Sequence, residues 1–177
     1  MEKKLVLNVI DSICSASQKK DFDSFSVSRD IFQARLDSFA LKTNRYLESA
    51  IIGEIGNNTF DHNWDFKDGE TRGAYFNFFD EYTVLADFGQ GIRKTLSKVK
   101  SFSSDMDALK TAFTERLSGR APEQRGNGLK FVLESFINKN WELYFQSGNA
   151  CCTINSGKTE FVESDFVFSG CLAIMKF

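Results

Sequence analysis

One proline and one histidine occur in 177 residues, and no two cysteines are spaced as a CxxC pair. With a single histidine and no such pair, a structural zinc site is excluded as a reading. No basic excess exists either. The formal net charge is -2, whereas a surface that tracks phosphate backbone needs a surplus of Lys and Arg. No apolar run approaches the length of a membrane span, and Met1-Glu-Lys-Lys leads into no signal-peptide pattern. These absences predict a cytoplasmic protein that binds neither nucleic acid nor membrane. Cys14, Cys151, Cys152 and Cys171 read as reduced, mostly buried thiols, with Cys151 and Cys152 pointing to opposite faces of one strand.

What is present is apolar and aromatic. Hydrophobic residues make up 42% of the chain, and 19 are Phe, which predicts one compact domain over 1–177 with a Phe-rich core. Val6, Val9, Ile10 and Ile13 have helical spacing. Ser28 reads as the N-cap of a second helix with Ile31, Phe32, Leu36 and Phe39 on one stripe. Thr43 reads as the cap of a third helix running to about His62. The period then changes: 73–79 and 82–87 alternate like strands around Asp80-Glu81. Residues 92–99 suggest a helical turn or two, 105–117 and 128–138 suggest helices, and 118–124, with Pro122, suggests a loop. Strands are expected at 143–146, 150–154, 161–168 and 171–177, with a turn at Ser147-Gly148-Asn149. The order predicts an α+β two-layer sandwich, a mixed β-sheet with helices packed on one face.

Three segments carry chemistry. Glu54, Asn58 and His62 are spaced by four, so on a helix they line one stripe about 12 Å long. The opposite stripe, Ile51, Ile52 and Ile55, can enter the core. By spacing alone the polar stripe reads either as a solvated helix face or as the wall of a site for a charged ligand. In the second reading the Asn58 amide oxygen suits Mg²⁺ and Glu54 can accept a proton. The second segment is a hydrophobic strand that ends at Asp87, followed by Gly89, Gly91 and Ile92. It reads as a plain strand-to-helix turn or as a turn where backbone approaches a ligand whose amine meets the carboxylate. The third is Arg125-Gly126-Asn127-Gly128-Leu129, either a flexible loop or a glycine-rich helix entrance whose N–H groups and dipole favour phosphate, with Arg120 and Arg125 beside it.

Together and in this order, these segments resemble the GHKL (Bergerat-fold) ATPase superfamily over roughly 43–177. Glu54-x3-Asn58-x3-His62 resembles its N box, Asp87-x-Gly89-x-Gly91 its G1 box, and Gly126-x-Gly128-Leu129 its G2 box. The resemblance implies a Bergerat ATP-binding fold with ATP and Mg²⁺ as cofactors. It makes Glu54 the general base, Asn58 the magnesium ligand and Asp87 the reader of adenine. Gly89 and Gly91 then shape the adenine pocket, Gly126 and Gly128 contact phosphates, and His62 stands near phosphate. Residues 93–125 become an ATP lid, much of it mobile without nucleotide, and 1–42 an N-terminal helical extension. Since His62 is the only histidine, no separate phosphoacceptor exists, so the likeness is not to an autophosphorylating histidine kinase. It is closest in style to standalone anti-sigma-factor serine/threonine kinases. That implies a protein partner, such as a sigma factor or a STAS-like antagonist, and leaves room for a homodimer. A non-catalytic nucleotide-sensing module is the alternative.

Overall fold

A computed structural model describes residues 1–19, 21, 23–62, 73–115 and 128–177, with the side chain of His62 outside the described part. Along the chain run α1 (Lys3–Lys19), β1 (Phe25–Ser26), α2 (Arg29–Thr43), α3 (Tyr46–His62), β2 (Ala74–Phe78) and β3 (Thr83–Asp87). They are followed by α4 (Gly91–Leu96), α5 (Asp105–Thr114), α6 (Gly128–Lys139), β4 (Glu142–Asn155) and β5 (Lys158–Lys176).

Local chemistry sets several of these bounds. The Ser28 hydroxyl accepts from the Ile31 N–H and caps α2. Thr43 is the last residue of α2, not the cap of α3: its hydroxyl turns back onto the Phe39 carbonyl, and Asn44 takes the left-handed conformation that ends the helix. The Ser104 hydroxyl accepts from the Asp107 N–H and starts α5, with Asp105 and Asp107 in the positive first turn.

The sheet has the order β1-β2-β3-β5-β4, and every pairing among the described strands is antiparallel. The expected mixed sheet is therefore corrected. The turn expected at Ser147-Gly148-Asn149 is a bulge inside one long strand, where the register between β4 and β5 shifts twice. The chain reverses instead at Ser156-Gly157, both with positive φ as a tight hairpin turn needs.

Strand alternation divides the apolar residues between the two faces. Leu85, Phe145, Cys152, Ala173 and Met175 join α2, α3, α5 and α6 in the main core, together with Phe32, Phe76, Phe113 and Phe136. Val84, Ala86, Tyr144, Cys151, Leu172 and Ile174 face the other way, against Val6, Val9, Ile13 and Ala16 of α1. Helices thus cover both faces. A two-layer sandwich with one bare face does not describe this α+β fold, because the first helix spends its apolar stripe on the second face.

Residues 1–42 are not an appendage. α1 closes one face, and Phe32 and Leu36 of α2 lie in the main core on the other. Part of 93–115 is built in as well. Within α5, Ala108, Leu109 and Phe113 have no exposed surface, so α5 is anchored in the core, while 97–101 before it are exposed. The remainder of the expected lid, 116–125, lies outside the described residues.

Candidate functional site

α3 carries its two expected stripes. Ile51 and Ile52 are wholly buried, while Glu54 is exposed and Asn58 partly so. Burying the isoleucine side chains stabilises the helix's seat by about 2 kcal/mol each, which fixes the direction in which Glu54 and Asn58 project.

Two contacts join this helix to the glycine-bearing turns. At one end, a Glu54 carboxylate oxygen sits 2.5 Å from where a Cβ on Gly128 would stand. Glu54 therefore lies against the N-terminus of α6, and only a residue without a side chain leaves it that place. At the other end, the Thr59 hydroxyl donates to Oδ2 of Asp87 at 3.3 Å. Asn58 lies between these two contacts along the helix.

Asp87 is 4% exposed, at the end of a strand whose five residues are all buried. A carboxylate there requires donors. Besides Thr59, the Gly89 N–H donates to Oδ1 at 2.8 Å, closing the turn back onto its own aspartate. In register across from Asp87 stands Cys171 of β5. Gly170 beside it has φ +94, and a Cβ there would meet the Asp87 carbonyl at 2.1 Å, so the two strands approach as only glycine permits. Burial, and next the nearby charge of Asp87, push the Cys171 thiol well above its ordinary range, so it stays protonated.

Gly91 has φ +74 and opens α4. The Ile92 N–H donates to the Ser147 hydroxyl, which in turn donates to the Gly170 carbonyl. Ser147 thus pins the turn after Asp87 to both long strands. The Ile92 side chain packs toward the core. Leu129 is buried too and anchors the first turn of α6. Arg125, Gly126 and Asn127 lie outside the described residues, as does the His62 side chain.

Neither the protein-family models nor the curated proteins compared with this chain include a match to it.

Of the sequence-predicted residues, α3 joins Glu54, Asn58, Gly128, Asp87 and Gly89 into one neighbourhood through its two contacts, and Gly91 lies at its edge, against Ser147 and Gly170. Ile92 and Leu129 serve it from the core side. Sequence reasoning missed Thr59, Ser147 and Cys171. Thr59 was legible in principle, as a hydroxyl beside Asn58. Ser147 and Cys171 carried no sequence signal, because their role depends on register across a bulged hairpin. Among the described residues no group of three or more His, Cys, Asp and Glu side chains could hold a metal ion, and Asn58 offers a single amide oxygen.

Proposed function

We propose that this chain binds magnesium-ATP in the manner of GHKL ATPases and uses it to regulate a protein partner, as a serine/threonine kinase or ATPase of the anti-sigma-factor kind. One observation carries the reading. A single helix touches both glycine-bearing turns, through Glu54 against Gly128 and through Thr59 to Asp87. The buried Asp87 carboxylate suits the exocyclic amine of adenine, and the start of α6 suits phosphate.

The donor set fits a magnesium ion held mostly by phosphate and water, with Asn58 as its one protein ligand. The ion, when bound, would neutralise phosphate charge. Glu54, one turn away, would take the proton of the attacking hydroxyl. The resemblance also assigns Arg125, Gly126, Asn127 and His62 to ATP binding. A cytoplasmic setting agrees with free thiols and abundant ATP.

Calorimetric titration with magnesium-ATP tests binding. Heat should appear for the natural chain and vanish for Asp87→Asn. Absence of heat in the natural chain defeats the proposal. Labelled ATP tests transfer: Glu54→Gln should keep binding and lose phosphoryl transfer or hydrolysis. A second reading, nucleotide sensing without turnover, draws on where Glu54 rests. Its carboxylate fills the space beside Gly128, at the helix entrance where phosphate is proposed to sit. Tight binding with no turnover, with or without candidate partners, would select that reading.

A further inference from the structure

Behind the turn that follows Asp87 lies a cavity of about 470 Å³. Gly91, Lys94 and Ser97 form one wall, and Gly148, Val167 and Phe168 of the bulged hairpin form the other. Gly89 and Gly91 line it and also border the neighbourhood proposed for nucleotide, whereas Glu54, Asn58 and Gly128 do not line it, so the two adjoin at this turn.

Its chemistry is one-sided. Residues 88–104 contain Arg93, Lys94, Lys98 and Lys100 and no Asp or Glu, in a chain whose net charge is -2. Two of these cations are spent internally. Arg93 pairs with Asp105 at 3.6 Å and donates to the carbonyls of Phe102 and Ser103. Lys100 pairs with Glu115 at 3.1 Å. Lys94 and Lys98 are exposed and have no ion-pair partner among the described residues. They stand one turn apart, since helical hydrogen bonding continues past α4 from Ser97 to Arg93 and from Lys100 to Leu96. Asp105, the acid at the cavity, is held by Arg93 and by the Asn149 N–H, so it does not cancel them.

The opposite lip is apolar and open. Val167 is 74% exposed, and Phe168 behind it stacks on Phe88. A cavity of this size accepts one large side chain with room to spare. The free cations extend along the chain from Lys94 at the cavity to Lys98 one turn beyond it, further than a small anion needs. Extent and charge together favour a peptide over a metabolite.

We propose that this cavity, with Lys94 and Lys98, docks an acidic segment of a partner protein that places one apolar side chain against Val167 and Phe168. The Ser147 hydroxyl, which holds the Ile92 N–H and the Gly170 carbonyl, lines the same cavity. An occupant therefore presses on the turn that carries Asp87. The inference rests on the proposed function only in taking a protein as the partner.

The test is fluorescence anisotropy without nucleotide, so that a failure of ATP binding leaves its result intact. The probe is a labelled peptide of Asp and Glu with a central Leu. It should bind in a salt-sensitive way. Its Ser-centred and its Asn/Gln analogues should bind about tenfold weaker or worse. The double variant Lys94→Glu/Lys98→Glu and, separately, Val167→Asp should each lose binding with unchanged melting temperature. No binding of the Leu-centred peptide, or equal binding by the variants, overturns the proposal. So does full competition by N-acetyl-leucine at the peptide's own concentration, which would make the cavity a small-molecule site.

Discussion

The two faces of the sheet are made of the same kinds of residue and do different work. On the face of α2, α3, α5 and α6, polar groups link separate elements: Thr59 donates to Asp87, Ser147 joins the Ile92 N–H to the Gly170 carbonyl, and the exposed Glu54 lies against Gly128. On the face of α1, the polar groups form a closed set. The Tyr144 hydroxyl donates to Oε1 of Gln146 at 2.6 Å and lies 3.2 Å from the Cys151 sulfur, while Nε2 of Gln146 donates to the carbonyls of Gly148 and Phe166. A satisfied buried network pins a bulge and leaves nothing for a ligand. A carboxylate met by a neighbouring helix's hydroxyl and by its own turn links separate elements, which is where a ligand can act.

The widest test of that contrast asks whether α5 belongs to the core or to a lid. Phe113 meets Phe145 edge-on at 5.2 Å and packs near Phe161. Phe113→Ala should cost about 4 kcal/mol in chemical denaturation. Ile13→Ala on the other face should cost about 3 kcal/mol, since Ile13 is wholly buried where α1 meets the sheet. A loss below about 1 kcal/mol for Phe113→Ala would mean that α5 moves freely, and the lid would regain those residues.

Alkali tests both faces through their thiols. Burial raises the Cys152 thiol from 9.0 to about 12, and burial also raises Cys151. A thiol whose folded value is raised contributes stability that is complete below the ordinary value. Above pH 9 the unfolded chain ionises first, so stability should fall steadily between about pH 9 and about pH 12. Denaturant midpoints measured across that range check it, and Cys152→Ala should flatten the slope. Below pH 9, Cys14, the exposed thiol, should react with Ellman's reagent well before Cys151 and Cys152.

Single hydroxyls give a finer comparison. Tyr144→Phe should lower stability by about 1 kcal/mol and leave nucleotide binding unchanged. Thr59→Val removes a donor to Asp87 and should cost a similar amount. Under the proposed function it should also weaken ATP binding, which Tyr144→Phe should not. Equal effects of both on ATP would erase the distinction drawn between the faces.

Most elements were legible in the sequence, but their division between two faces was not. Helical spacing located α1, α2, α3, α5 and α6, and the Ile51–Ile52–Ile55 stripe identified which side of α3 is buried. Cys151 and Cys152 do face opposite clusters, as strand alternation requires. What was not legible depends on long-range register. Ser147-Gly148-Asn149 has turn composition, yet hydrogen bonding from β5 on one side and from Asp105 on the other holds it as a bulge. The destination of α1 was hidden because an amphipathic stripe says that a helix is covered, not by which face. Within the site, local pattern reached Asp87, Gly89 and Glu54, but Cys171 enters only through its pairing across from Asp87.

Gly128→Ala makes the smallest and most selective change. A new Cβ would stand 2.5 Å from an oxygen at the far end of the exposed Glu54 side chain, which can swing aside. Ala is also the better helix former, by up to about 1 kcal/mol in a helix interior and less in a first turn. The two effects oppose each other, so stability should shift by less than about 0.5 kcal/mol. Binding should not be so forgiving if phosphate approaches this helix entrance, because the Cβ and the displaced carboxylate both crowd it. Magnesium-ATP affinity should fall severalfold, and Glu54→Ala combined with Gly128→Ala should recover part of it by removing the crowding charge. A clear loss of stability with unchanged affinity would instead mark Gly128 as a packing residue and move the phosphate side of the proposal away from α6.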